Sequence, residues 1–86
     1  MRSSRFGKDI IVTNHARARM AERSVNEAQL LDIIETGELR RIDRQHLFVF
    51  KRLQDRRDNL VCVAAAEERR LIVKTVMVNW LLEESS

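Results

Sequence analysis

The apolar pattern changes period at Gly37, and that switch constrains the fold more than any other feature of the chain. Before it, Leu30, Leu31, Ile33 and Ile34 fall on one face of a helix. Asn26 is placed to cap that helix with Gln29 in a capping box, Ser24 with Glu27 offers a competing start, and Gly37 is a good stop. After Gly37 the chain reads as strands joined by short charged turns. They are Glu38–Ile42, His46–Leu53, Asn59–Ala66 and Leu71–Trp80. Loops of hairpin length make these neighbours antiparallel.

A second helix lies upstream. Thr13 is a good N-cap, and residues 14–23 contain no helix breaker. The run Asp9–Val12 before it reads as a short extra strand. The expected fold class is α+β, with two N-terminal helices packed on one face of a twisted antiparallel sheet of four strands, plus that N-terminal strand. Residues 1–86 make a single domain, with 1–8 expected to be flexible and 81–86 to fray.

Composition narrows the function classes. The chain has no proline, two glycines and one cysteine. Cys62 therefore has no internal disulfide partner, and its place in Leu60-Val61-Cys62-Val63 suits packing better than catalysis. No apolar run approaches the ~20 residues of a membrane span, and the opening MRSSRFGKD lacks the apolar core of a signal peptide, so a cytoplasmic protein is expected. The net charge of +3 is unevenly spread. Residues 1–24 hold six bases and two acids, residues 25–39 hold four acids and no base, and residues 40–58 hold seven bases and three acids. Such alternation fits a polarised surface able to attract nucleic acid, and it also fits ordinary solvated charge.

Within this frame, His15, Arg19 and Arg23 recur every four residues along the first helix and form one polar stripe beside the apolar Ala16 and Met20. Histidine can move a proton near neutral pH, and arginine holds a fixed charge suited to phosphate. Local pairing of Arg19 with Glu22, or of Arg23 with Glu27, is the ordinary alternative. Strict alternation along the last strand sets Leu71, Val73, Thr75 and Met77 against Ile72, Lys74, Val76 and Val78. Lys74 must then face solvent, find a partner or line a site. Arg40, Arg41, Arg44, Lys51 and Arg52, followed by Arg56 and Arg57, form a basic belt and are the candidate nucleic-acid contacts. His46 is a candidate second acid or base. No metal-ligand spacing, glycine-rich phosphate loop or nucleophile motif is present, so neither metal nor cofactor is expected.

The stretch Val12-Thr13-Asn14-His15-Ala16-Arg17-Ala18-Arg19-Met20-Ala21-Glu22-Arg23-Ser24-Val25 resembles the T-x-H-A-x-x-R-M-x-x-R-G-I opening of a bacterial family of unknown function, the 4258 family. Val73-Lys74-Thr75-Val76 resembles its closing V-x-T-V segment. The resemblance spans residues 10–80, and Ser24 departs from it where the family often has glycine. That family is similar in layout to the RelE-like and barnase/colicin-like ribonuclease toxins. The resemblance implies His15, Arg19, Arg23, Lys74 and Thr75 as the catalytic set of a metal-independent RNA endonuclease of toxin type. RNA and a cognate inhibitor protein would be its partners. On a strict strand, however, Lys74 and Thr75 point to opposite faces unless a bulge intervenes. The competing expectations are a non-catalytic module binding nucleic acid or protein, and a homodimeric structural protein.

Overall fold

Local signals place both helices. In the computed structural model, which describes residues 1–54, 56 and 60–79, α1 spans Asn14–Arg23 and α2 spans Glu27–Thr36. The Thr13 hydroxyl accepts the Ala16 N–H at 3.1 Å and so caps α1. At its other end Ser24 is left-handed (φ 54°, ψ 44°), which lets the Val25 N–H reach the Met20 carbonyl at 2.9 Å. Asn26 and Gln29 form the expected reciprocal capping box, with bonds of 2.8 and 3.0 Å.

Gly37 stops α2 for a reason other than a left-handed turn, since its φ is −71°. A Cβ there would lie 2.5 Å from the Ile33 carbonyl oxygen and 2.9 Å from that of Phe50. Glycine is needed because the end of α2 presses against the backbone of a neighbouring strand.

Six strands form one sheet: β1 (Arg2–Ser3), β2 (Lys8–Val12), β3 (Glu38–Arg41), β4 (His46–Lys51), β5 (Val61–Glu67) and β6 (Leu71–Val78). Their order is β1-β2-β6-β5-β4-β3. The meander β3–β6 is antiparallel as expected, but the sheet is mixed, because β2 joins β6 in parallel with Ile10 opposite Leu71. This corrects the expected antiparallel sheet of four strands. Apolar alternation reports burial and says nothing of a strand's neighbour. Leu71 follows Val12 only after both helices and three strands, the long connection that a parallel pair requires. Asn59, Arg57, Trp80 and residues 81–86 lie outside the described residues.

Residues 1–8, expected to be flexible, are a hydrogen-bonded segment. β1 pairs with β2, and the buried Ser3 hydroxyl accepts the Phe6 N–H. The N–H groups of Ser4 and Arg5 donate to the Glu35 carboxylate at 2.7 and 2.8 Å. The Arg5 guanidinium donates to the carbonyls of Ile34 and Gly37, so it satisfies the end of α2 that lacks helical partners.

One core joins these elements. Ala16, Met20, Val25, Leu30, Ile33 and Ile34 meet the inward residues Leu47, Val49, Val61, Val63, Ala65, Leu71, Val73 and Val76. Both helices thus cover the same face of the sheet, α1 over β6 and α2 over β4 and β5.

Candidate functional site

The geometry of β6 decides which candidate residues meet. Ala64 of β5 lies opposite Thr75, but the next residue, Ala65, lies opposite Val73. Lys74 is therefore the extra residue of a β-bulge, and the alternation changes phase across it. Leu71 and Val73 are buried before the bulge, and Val76 after it, while Lys74 is exposed and Thr75 half-buried. The two-phase alternation read from the sequence is corrected here: Val76 belongs with Leu71 and Val73. Lys74 and Thr75 leave the core together, so the conflict between them disappears.

Helix α1 follows β2 beside the part of this strand, past Val73, that β2 does not reach. Where β2 ends, the Thr13 N–H donates to the Val73 carbonyl at 3.2 Å, and the Thr13 hydroxyl donates to the Lys74 carbonyl at 3.4 Å. At the far end of the helix, Arg23 Nη1 donates to the Val76 carbonyl at 2.9 Å. Beyond the end of β2, the carbonyls of Val73, Lys74 and Val76 are thus met by Thr13 and Arg23 rather than by another strand. The double use of the Thr13 hydroxyl, as cap and as tether to the bulge, was visible in the sequence only as a cap.

The stripe drifts as it climbs. Each step of four residues turns about 40° beyond a full circle, and here the drift is toward the sheet. His15 is exposed, Arg19 is half-buried, and Arg23 touches β6. Arg19 pairs with Glu22, as the ordinary alternative held, whereas Glu27 pairs with Arg17 and not with Arg23. Arg23 is tied further, because Arg56 donates to the carbonyls of Arg23 and Ser24 at 2.8 and 2.6 Å. It is therefore the structural member of the stripe. His15 and Arg19 lie on α1, which covers the core face of the sheet, whereas Lys74 and Thr75 leave the bulge on the other face; the α1–β6 edge, a polar ledge, lies between the two pairs.

The basic belt is divided. Arg40 and Arg44 lie at or beside the β3–β4 turn, and Arg41 pairs there with Glu67, which also holds Lys8. Hydrogen bonding from Arg41 lowers the Glu67 pKa, opposed by burial. Lys51 and Arg52 lie at the opposite end of β4, about 17 Å away for six residues at strand rise. Lys51 is bonded to Asp32 at 2.9 Å and to the Thr36 hydroxyl at 2.7 Å, and its hydrogen bond lowers the Asp32 pKa. Lys51 and Arg52 border a cleft of about 600 Å³ beside Asn26, Gln29 and Gln54, away from the ledge.

His46 starts β4, two strands from β6, and bonds to Asp43 at 3.1 Å. It shares no site with His15. Asp43 accepts the backbone N–H of His46 first and that of Gln45 next, which holds its carboxyl down at about 2. Burial pushes the Cys62 thiol up to about 12, consistent with packing. Among the described residues no group of His, Cys, Asp and Glu could hold a metal ion, and no helix is long and apolar enough to cross a membrane.

Two helices on one face of a mixed six-stranded sheet, the first tied through Thr13 and Arg23 to a bulged strand, define a small α+β domain. The family model described as Domain of unknown function (DUF4258) matches residues 12–78, and the chain belongs to that family. The match runs from the end of β2 to the end of β6, so it contains the whole ledge and leaves the N-terminal hairpin outside. No curated protein and no solved structure matches the chain.

Proposed function

We propose that an RNA phosphate bound at the α1–β6 ledge draws together His15 and Arg19 from the helix and Lys74 and Thr75 from the bulge, and that the protein is a metal-independent ribonuclease. The observation that carries this reading is the bulge, which turns Lys74 and Thr75 out together beside the strand edge lined by α1. In the reaction the 2′-oxygen of a ribose attacks the adjacent phosphorus. The bond from phosphorus to the 5′-oxygen of the next nucleotide breaks, leaving a 2′,3′-cyclic phosphate and a 5′-hydroxyl. His15 takes the proton of the attacking hydroxyl, and that of the leaving oxygen comes from solvent at this open site. Lys74 and Arg19 stabilise charge on the phosphate oxygens, and the Thr75 hydroxyl orients one of them. The RelE-like layout that the sequence resemblance implies would bring the same chemistry, with an inhibitor protein as natural partner.

The exposure of His15 favours a second reading, in which the ledge holds phosphate without cleaving. Total RNA incubated with purified protein in EDTA separates the two. Cleavage leaving cyclic-phosphate ends, and reduced ~10²–10⁴-fold in His15→Ala, is the expected result. Salt-sensitive binding with no cleavage would leave the second reading.

A further inference from the structure

In an up-and-down meander alternate turns share an end of the sheet, and here that end gathers unpaired positive charge. The β3–β4 turn (residues 42–45) and the β5–β6 turn (residues 68–70) stand side by side, joined by the Glu67 N–H donating to the Gln45 carbonyl at 2.6 Å. Arg44 lies in the first turn, Arg69 and Arg70 in the second, and Arg40 just inside β3. None of these four has a carboxylate partner among the described residues, and all are exposed. Their neighbours Asp9, Asp43 and Glu67 are each already engaged, by Arg2, by His46, and by Lys8 with Arg41. Only the Glu68 carboxylate at this end is unengaged among the described residues.

The geometry points to a phosphate track over this end of the sheet, and we propose that single-stranded RNA lies along it. The proposal rests on the reading of the ledge as an RNA site and extends it to the flanking nucleotides. Lys74 of the ledge stands four residues beyond Arg70, which ends the turn before β6, about 14 Å at strand rise. From there the cations continue through Arg70 and Arg69 to Arg44 and Arg40. Between Glu68, Arg69, Arg70 and Ile72 lies a shallow hollow of about 270 Å³. Ile72 gives it an apolar wall, and a base can stack there on a guanidinium while its phosphates meet the remaining arginines. The arginines meet phosphates and make the track sensitive to salt, while the Glu68 carboxylate, which lines the same hollow, is the group placed to meet a base edge. Arg69 and Arg70 enter the RNA surface by this argument, and Arg52 leaves it.

The test uses a fluorescently labelled oligouridine in EDTA, on the His15→Ala background so that the probe stays intact. Arg44→Gln/Arg69→Gln/Arg70→Gln is expected to bind at least tenfold more weakly, with unchanged circular dichroism. Its plot of log affinity against log salt should be shallower by about 2, the sum for three lost contacts at ~0.7 each. Arg52→Gln, one charge at the opposite end, is expected to bind like its parent. Equal losses from Arg52→Gln and Arg70→Gln would mean diffuse attraction and overturn the track. So would tight binding of a polyglutamate peptide with none of RNA. Weak binding by the triple variant, in a protein that cleaves nothing, would keep the track and remove the ribonuclease. Cleavage by a protein whose triple variant binds like its parent would do the reverse.

Discussion

At the scale of single residues, the His15, Arg19 and Arg23 stripe is three side chains with three roles. Arg23 holds a strand carbonyl, Arg19 pairs with Glu22 at the helix surface, and His15 is exposed. Arg23→Ala is expected to cost about 1–3 kcal/mol, because the carbonyl of the buried Val76 loses its donor. Arg19→Ala should stay within about 0.5 kcal/mol, because its ion pair is exposed. Urea denaturation of the two variants measures the contrast. The spacing was legible in the sequence, but the division of labour was not. It depends on which way the drift of the stripe faces, and only the packing of α1 on β6 fixes that. Ser24 is a second case. Its left-handed backbone disfavours any side chain, which explains the glycine of the related motif. Ser24→Gly is expected to raise stability by up to about 1 kcal/mol in the same measurement.

Among the elements, those written in short-range signals were legible and those set by distant partners were not. The caps of both helices rest on residues three apart, and they form as read. The parallel placement of β2 against β6 has no local mark. The bulge had one: Lys74 and Thr75 are consecutive polar residues in an otherwise apolar strand, which strict alternation cannot turn to one side. Gly37 stops α2 as its sequence position indicates, but the need for glycine there, the crowding oxygens of Ile33 and Phe50, comes from packing and has no local mark. Gly37→Ala should therefore destabilise by about 1–3 kcal/mol through overpacking, although its φ suits alanine. A conformational role alone would leave the denaturation midpoint unmoved, so the midpoint distinguishes the two causes.

For the whole molecule, engaged carboxylates link stability to pH. Asp32, Glu35, Asp43 and Glu67 all have lowered pKa values. For Glu35, burial acts upward but is outweighed by the N–H donors of Arg5 and Ser4. Each such group is more acidic folded than unfolded, so the unfolded chain binds more protons as acid is added. Their stabilisation is fully present above the ordinary values of 3.8 and 4.5 and is lost as pH falls through the folded values. For Asp43 that loss extends down to about 2. Thermal melts should show the midpoint falling below pH 4.5, with Asp43→Asn flattening the most acidic part of the decline. A midpoint independent of pH there would contradict these contacts. The charge balance of the sequence showed two basic regions, yet it could not show that the meander splits the second between opposite ends of the sheet.

The central claim is that RNA phosphate sits where α1 lines the bulge of β6. The most direct measurement is an amide NMR titration of ¹⁵N-labelled His15→Ala protein with oligouridine. Shifts are expected to concentrate at Thr13–Arg19 and Val73–Thr75 and to spread toward Arg69 and Arg70. Shifts confined to the cleft between α2 and β4, or no shifts at all, would contradict the claim.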